Sequence, residues 1–100
     1  MAKQRIIWSS RAKLDLFEIL KFYDERNGSK TYSIKLNIHF RKAIKLIGKY
    51  PNLGVQTDIP NIRVLIEGDY AIFYEIKIEV IEIASVWDCK QNPDYINLSK

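Results

Sequence analysis

The chain has 100 residues, enough for one hydrophobic core and too few for two independent ones, and its 47% hydrophobic and 28% charged residues are typical of a globular protein. One cysteine, Cys89, and one histidine, His39, exclude a disulfide framework and a Cys/His zinc site within one chain, so we expect a cytoplasmic protein without metal or cofactor. The net charge of +4 is mild for a dedicated nucleic-acid binder and fits an acidic partner or a phosphate-bearing target.

The first predicted element is a short strand that runs into a helix. The segment KQRIIW is apolar and β-branched, and Ser9 or Ser10 after it suits the N-cap of a helix. The opening residues MAKQRIIW contain only three apolar residues in a row, too few for a signal-peptide core or a membrane span. We therefore expect neither export nor membrane anchoring.

Two amphipathic helices are predicted next, joined across Gly28 into an antiparallel hairpin. The first runs to Asn27-Gly28, a pair suited to the left-handed C-terminal position, and the second runs from Ser29 to Tyr50, where Pro51 ends it. The predicted apolar faces are Ala12, Leu16, Ile19, Leu20 and Tyr23 in the first helix and Tyr32, Leu36, Phe40, Ala43, Ile47 and Tyr50 in the second. Asp15, Lys21 and Asp24 are predicted to lie off the apolar face of the first helix.

Strands follow the segment PNLGVQTDIP, which is predicted to be a loop. The hydrophobic period then changes to two, with Gly68-Asp69 as a two-residue hairpin turn and a further strand at residues 79 to 87. The alternating positions are Ile62, Val64 and Ile66 before the turn and Tyr70, Ile72, Tyr74 and Ile76 after it.

These elements predict one α+β domain over residues 1–100, in the order β-α-α-β-β-β, with a helical hairpin packed on one face of a small, mainly antiparallel sheet. Asn92-Pro93 suits the start of a short C-terminal helix. The inward positions predict one core cluster of Leu16, Leu20, Phe40, Ile47, Ile72, Tyr74, Ile83 and Trp87.

The second helix carries an unusual run of positive charge. Lys35, Lys42, Lys45 and Lys49 recur at steps of seven, three and four, with Arg41 at the edge of the stripe, and no Asp or Glu occurs from residue 26 to residue 57. A solvated helix face is the commoner meaning of such a run. The alternative is a positive ridge that meets an acidic partner or an RNA backbone.

Three segments together resemble the RelE/ParE superfamily of toxins from type II toxin-antitoxin systems. They are WSSRAKLDLFEILKFY near the start, NIRVLIEGDYAIFYEI in the hairpin and VWDCKQNP near the end. The resemblance implies a cytoplasmic growth inhibitor of the plasmid-stabilisation type. It also implies a cognate antitoxin that wraps the toxin surface with an acidic tail and assembles toxin copies into an oligomer.

The resemblance implies two alternative targets. RelE-like toxins cut messenger RNA in the ribosome, whereas ParE-like toxins poison DNA gyrase. RNA cleavage needs groups that take a proton from the 2′-hydroxyl, stabilise the phosphate charge and protonate the leaving oxygen. The candidates here are Arg63, Lys90 and Tyr95, and Cys89 stands where RelE-like toxins keep an arginine.

This incomplete set favours the ParE-like reading, in which the segment from Trp87 to Tyr95 supplies part of a binding surface. An RNA-cleaving enzyme and an inactive toxin-fold binding module remain open as alternatives. Structural roles are the alternative interpretation of single residues. Arg63 is then a solvated residue or a partner of Glu75, His39 packs at the edge of the core, and Trp87 belongs to the core. The candidate partner-binding residues are Lys35, Arg41, Lys42, Lys45, Lys49 and Trp87.

Overall fold

A computed structural model describes residues 4–90 of the chain, and the predicted C-terminal helix and Tyr95 lie outside the described residues. The elements are β1 (Arg5–Trp8), α1 (Ser10–Asn27), α2 (Thr31–Lys49), β2 (Val55–Gln56), β3 (Ile62–Glu67), β4 (Tyr70–Ile76) and β5 (Val80–Asp88). The sheet order is β1-β5-β4-β3-β2, with β1 parallel to β5 and every other pair antiparallel. The predicted α+β architecture is confirmed.

The helix ends are set by the residues that the sequence predicts. The Ser9 hydroxyl accepts a hydrogen bond from the Ala12 N–H at 3.0 Å, and Gly28 closes α1 in the left-handed conformation with φ 66°. Helix α2 begins at Thr31, two residues later than predicted, and ends at Lys49, just before Tyr50 and Pro51. The Ser33 hydroxyl donates to the Asp24 carboxylate and so ties the two helices together beside their connection.

The loop before β3 contains a strand that was not predicted. Residues Val55 and Gln56 pair with Val64 and Arg63 as the short edge strand β2. Two residues show no alternation along the sequence, so only their pairing with β3 defines them as a strand. The turn between β3 and β4 forms at Gly68, with φ 60°, and Asp69, as predicted.

The core lies between the helical hairpin and one face of the sheet. Its buried residues are Ala12, Leu16, Ile19, Leu36, Phe40, Ala43, Ile44, Ile47, Tyr70, Ile72, Tyr74, Ile81, Ile83 and Val86. Leu20 packs against this cluster but is only partly buried, and Tyr32 and Tyr50, which were predicted on the apolar face of α2, are exposed. The predicted core is therefore confirmed except for Leu20, which is only partly buried, and Trp87, and the predicted apolar face of α2 is wrong at Tyr32 and Tyr50.

Trp87 does not lie in this core, because β5 contains a bulge. Phe73 pairs with Ser85 and Tyr74 pairs with Ile83, so Ala84 has no partner residue on β4. One extra residue reverses the alternation, and the buried face of β5 changes from Ile81 and Ile83 to Val86 and Asp88. The prediction that Trp87 faces the helices was wrong for this reason.

Asp15 is buried, which contradicts its predicted position off the apolar face. Its carboxylate accepts a hydrogen bond from the Val86 N–H at 3.0 Å and lies 3.1 Å from Nε of Arg11. The Ser9 hydroxyl donates to the Ala84 carbonyl at 2.8 Å. Side chains from the start of α1 therefore bind the backbone of the bulge in β5.

Candidate partner-binding surface

The outer surface of α2 carries the four lysines predicted from the sequence, which we call the lysine ridge: Lys35, Lys42, Lys45 and Lys49. All four are exposed, and none takes part in the ion pairs found among residues 4–90, which are Arg11 with Asp15, Lys77 with Glu82 and Lys90 with Asp69. Leu46 lies among the last three ridge lysines and is about half exposed. The ridge therefore offers positive charge beside apolar surface.

Arg41 has a different environment from the ridge lysines. Its guanidinium lies 5.1 Å from the centroid of the Trp8 ring on β1, a cation–π distance. The Lys49 ammonium lies 5.5 Å from the centroid of the neighbouring Tyr50 ring. Arg41 thus contacts Trp8 on β1, while the ridge lysines are exposed to solvent on the outer face of α2.

A cavity opens where the first ridge lysine approaches the β3–β4 turn. Its volume is about 360 Å³, and we call it the turn pocket. Its apolar wall consists of Leu36, Phe40 and Tyr70, all buried, and its rim carries Tyr32, Lys35, His39, Glu67, Gly68 and Asp69. The rings of Phe40 and Tyr70 meet edge to face at 5.0 Å.

A buried polar cluster supports this end of the sheet. Asp88 is 2% exposed and accepts hydrogen bonds from the Tyr23 hydroxyl at 3.1 Å and from the Lys90 N–H at 2.9 Å. Burial raises the pKa of Tyr70, and its hydrogen bonds with Tyr23 and Tyr32 raise it further. Burial also raises the pKa of Tyr23, so the Tyr23 and Tyr70 phenols stay neutral at physiological pH.

Lys90 is engaged at the same end of the sheet. Its ammonium lies 3.3 Å from the Asp69 carboxylate, and this hydrogen-bonded ion pair raises the pKa of Lys90. The Cys89 N–H donates to the Asp69 carbonyl at 2.8 Å. Cys89 and Lys90, the two described residues after β5, are thus attached to the β3–β4 turn.

Arg63 is engaged at the other end of the sheet. It donates to the Gly54 carbonyl at 2.5 Å and lies 3.4 Å from the Asn52 carbonyl. The Tyr74 hydroxyl donates to the Pro51 carbonyl at 2.7 Å and accepts from the Gly54 N–H at 2.8 Å. Arg63 and Tyr74 therefore fasten the loop between α2 and β2.

The structure does not bring Arg63 and Lys90 together. Arg63 pairs with Tyr74, whereas Asp88, two residues before Lys90, pairs with Tyr70. Tyr74 and Tyr70 are four residues apart on β4, which corresponds to about 13 Å along a strand. Tyr95, the third residue of the predicted set, lies outside the described residues.

Trp87 lies on the face of the sheet opposite the helices. It is half-buried, and its ring centroid is 6.2 Å from that of Phe73. Both residues line a shallow groove of about 290 Å³ together with Thr57, Ile59, Ile62, Ala84 and Ser85. The described residues place Trp87 and the lysine ridge on opposite sides of the molecule, so they do not form one continuous surface.

The model of one protein family matches most of the chain. It is the family of the ParE toxin of the type II toxin-antitoxin system parDE, and the match covers residues 6–93. The chain belongs to the ParE toxin family. No curated protein matches this ParE toxin by sequence.

A solved structure has the same fold as this ParE toxin. It is described as the chromosomal ParDE toxin-antitoxin system from P. aeruginosa, and the similarity has a TM-score of 0.71 at 20% sequence identity. The aligned region covers 84% of this chain and 94% of the other. At this identity the similarity supports the two-helix, mainly antiparallel fold alone.

Two features are absent from the part of this ParE toxin that the structure describes. Residues 4–90 contain no group of three or more His, Cys, Asp or Glu side chains that could hold a metal ion. Neither helix within that range is long and apolar enough to cross a membrane.

The turn pocket was not predicted from the sequence of this ParE toxin. Its walls come from α2 and from the β3–β4 turn, which are separated by about thirty residues. His39, interpreted from the sequence as a packing residue at the edge of the core, is exposed on the rim of the pocket. The one available signal was the row of Tyr32, Leu36 and Phe40, which continues one turn beyond the buried part of α2 at its N-terminal end.

Proposed function

We propose that this ParE toxin arrests growth by binding DNA gyrase, without cleaving RNA, and that an antitoxin encoded beside it holds it inactive in the cytoplasm. The observation that carries the choice of gyrase is the separation of Arg63 from Lys90. Each is also engaged by protein groups, Arg63 by loop carbonyls and Lys90 by Asp69.

RNA cleavage requires several side chains close to one phosphodiester, and the positions of Arg63 and Lys90 do not favour this geometry. The groups that move protons must lie within hydrogen-bond reach, about 2.6 to 3.2 Å, of the atoms on one phosphodiester. Arg63 and Lys90 come from strand positions about 13 Å apart, and each is held by other protein groups, which does not favour contact of both cations with one phosphate. A protein poison needs only a complementary surface, which either the exposed helical hairpin or the opposite sheet face around the half-buried Trp87 can supply.

The antitoxin is proposed to meet the lysine ridge. The ridge has no acidic residue in its own helix and no ion pair among the described residues, so its charge is free to attract a partner. An acidic antitoxin tail is the partner that this charge favours. The same charge would also attract an RNA backbone, so the ridge does not itself distinguish between the two targets.

Induction of the toxin without its antitoxin tests the choice of target. Two measurements run in parallel: mapping of cut messenger RNA on translating ribosomes, and trapping of double-strand breaks linked to gyrase. We expect breaks and no codon-phased cuts. Codon-phased cuts that are lost in the Tyr95→Phe variant would overturn the proposal in favour of a ribonuclease. Normal growth with the folded toxin present would instead support the inactive binding module.

A further inference from the structure

The turn pocket has the properties of a receptor for one large apolar side chain. Its volume of about 360 Å³ falls at the lower end of the range for ligand sites, about 300 to 1,000 Å³. Its wall is made of the buried residues Leu36, Phe40 and Tyr70. An apolar group that enters the pocket leaves water for an aromatic and aliphatic surface, which favours binding.

Two sides of the pocket are held by contacts with residues behind them. Tyr32 packs edge to face against Tyr23 at 4.8 Å, and the Tyr23 hydroxyl is held by the buried Asp88. On the opposite side, Asp69 is held by Lys90 and by the Cys89 N–H. Both walls are therefore fixed by contacts behind them, and a pre-formed site loses less entropy when it binds.

The charges around the pocket indicate what flanks the inserted group. Lys35 belongs both to the pocket rim and to the lysine ridge, so the pocket opens directly onto the ridge. Glu67 and Asp69 line the far side, and Asp69 is already balanced by Lys90. Among residues 4–90, Glu67 leaves one negative charge without an ion pair, and the four lysines of the ridge, from Lys35 to Lys49, outweigh it, so the net charge beside the pocket is positive.

We infer that the turn pocket takes a large aliphatic or aromatic side chain from an acidic peptide segment, whose carboxylates lie along the lysine ridge. The segment crosses α2 at Lys35, with its apolar anchor in the pocket and its acidic residues toward Lys42. This inference rests on the proposed function, in which the acidic segment belongs to the antitoxin.

A pair of tryptophan substitutions tests the pocket by filling it. His39→Trp places an indole at the pocket rim, whereas Leu14→Trp places the same group on an exposed apolar residue of α1, which lines neither the pocket nor the ridge. Binding of the protein encoded by the adjacent reading frame is measured by calorimetry for each variant and for the unchanged chain. We expect His39→Trp to raise Kd at least tenfold and Leu14→Trp to change it less than threefold.

A second measurement does not depend on the folding of a variant. In the unchanged chain, the backbone amide resonances of Lys35, Gly68 and Asp69 should shift when the partner binds, and a partner whose apolar residues are replaced by alanine should lose these shifts. If the unchanged chain does not bind the partner, the antitoxin proposal fails together with the inference. If the chain binds and neither His39→Trp nor the alanine partner alters binding or shifts, the inference alone is overturned.

Discussion

Two buried aspartates, Asp15 and Asp88, bind backbone groups where the strand pairing of β5 is interrupted. Asp15 accepts from the Val86 N–H just after the bulge, and Asp88 accepts from the Lys90 N–H just after the strand ends. A buried N–H without a partner costs about 1 to 3 kcal/mol, so the Asp15 carboxylate stabilises the backbone path at the buried Val86 N–H. Asp15, which ends the segment WSSRAKLD, and Asp88, which ends VWD, thus act as hydrogen-bond acceptors for the backbone of the last described strand and the residues after it.

The Asp15→Ala substitution should lower the free energy of unfolding by about 1 to 3 kcal/mol, because it leaves the Val86 N–H buried without its acceptor. Chemical denaturation measures the change. Glu18→Ala removes an exposed carboxylate from the same helix and should stay within about 0.5 kcal/mol. Equal losses for the two variants would show that the bond to Val86 does not stabilise the bulge.

At the scale of the element, α2 places core packing and positive charge on different faces. One face packs Leu36, Phe40 and Ile47 into the core, and the opposite face carries the lysine ridge. The lysines are exposed and lie away from the core, so their replacement should change recognition without changing the fold. The helix can therefore be tested as a binding element independently of its role in stability.

Charge reversal of Lys42, Lys45 and Lys49 to Glu should slow association with the antitoxin by about tenfold or more and reduce its dependence on salt, because exposed charges mainly steer encounter. Stopped-flow association at several salt concentrations measures both effects. The matched control reverses Lys13, Lys21 and Arg26, which carry the same total charge on the exposed side of α1. If both triple variants slow association equally, the net charge of the chain and not the ridge attracts the partner.

At the scale of the whole molecule, the first and last strands meet in the sheet. Strand β1 pairs with β5, and the Ser9 N–H donates to the Ile83 carbonyl at 3.0 Å. Ser9 and Asp15 then bind the bulge that turns Trp87 to the outer face. The segment near the start of the chain therefore supports the backbone that positions Trp87 near the end of β5.

The stability of the whole molecule should fall above about pH 10 because of its buried tyrosines. Burial raises the pKa of Tyr70 and Tyr74 above the ordinary phenol value of 10.0. Above about pH 10 the unfolded chain releases protons that the folded chain retains, so the free energy of unfolding decreases as the pH rises. Below about pH 10 these tyrosines are protonated in both states, so the stability is fully present and does not change with pH because of them.

Absorbance of the tyrosinate ion measures this effect. Fewer than the six tyrosines should ionise while the protein is folded, and all six should ionise near pH 10 in denaturant. The Tyr74→Phe variant should lose one late-ionising group. Ionisation of all six near pH 10 with the fold intact would contradict the burial of Tyr70 and Tyr74.

Local signals were enough to predict most of the fold. Ser9, Gly28 and Gly68 act through their own backbone geometry or through neighbours a few residues away, so their effects can be inferred without knowledge of the tertiary structure. The positions of Leu16, Phe40 and Ile72 follow from hydrophobic period alone, and all three lie in the core. The lysine ridge follows from the same helical period.

The tertiary structure alone decided the environment of Trp87, Asp15 and the turn pocket. The side of the sheet that Trp87 occupies depends on the bulge at Ala84, and the burial of Asp15 depends on the Val86 N–H beside that bulge. The turn pocket requires α2 and the β3–β4 turn to meet across about thirty residues of sequence. Periodicity describes which side chains share a face of one element, but a change of register and a contact between distant elements depend on pairing and packing, which exist only in the folded chain.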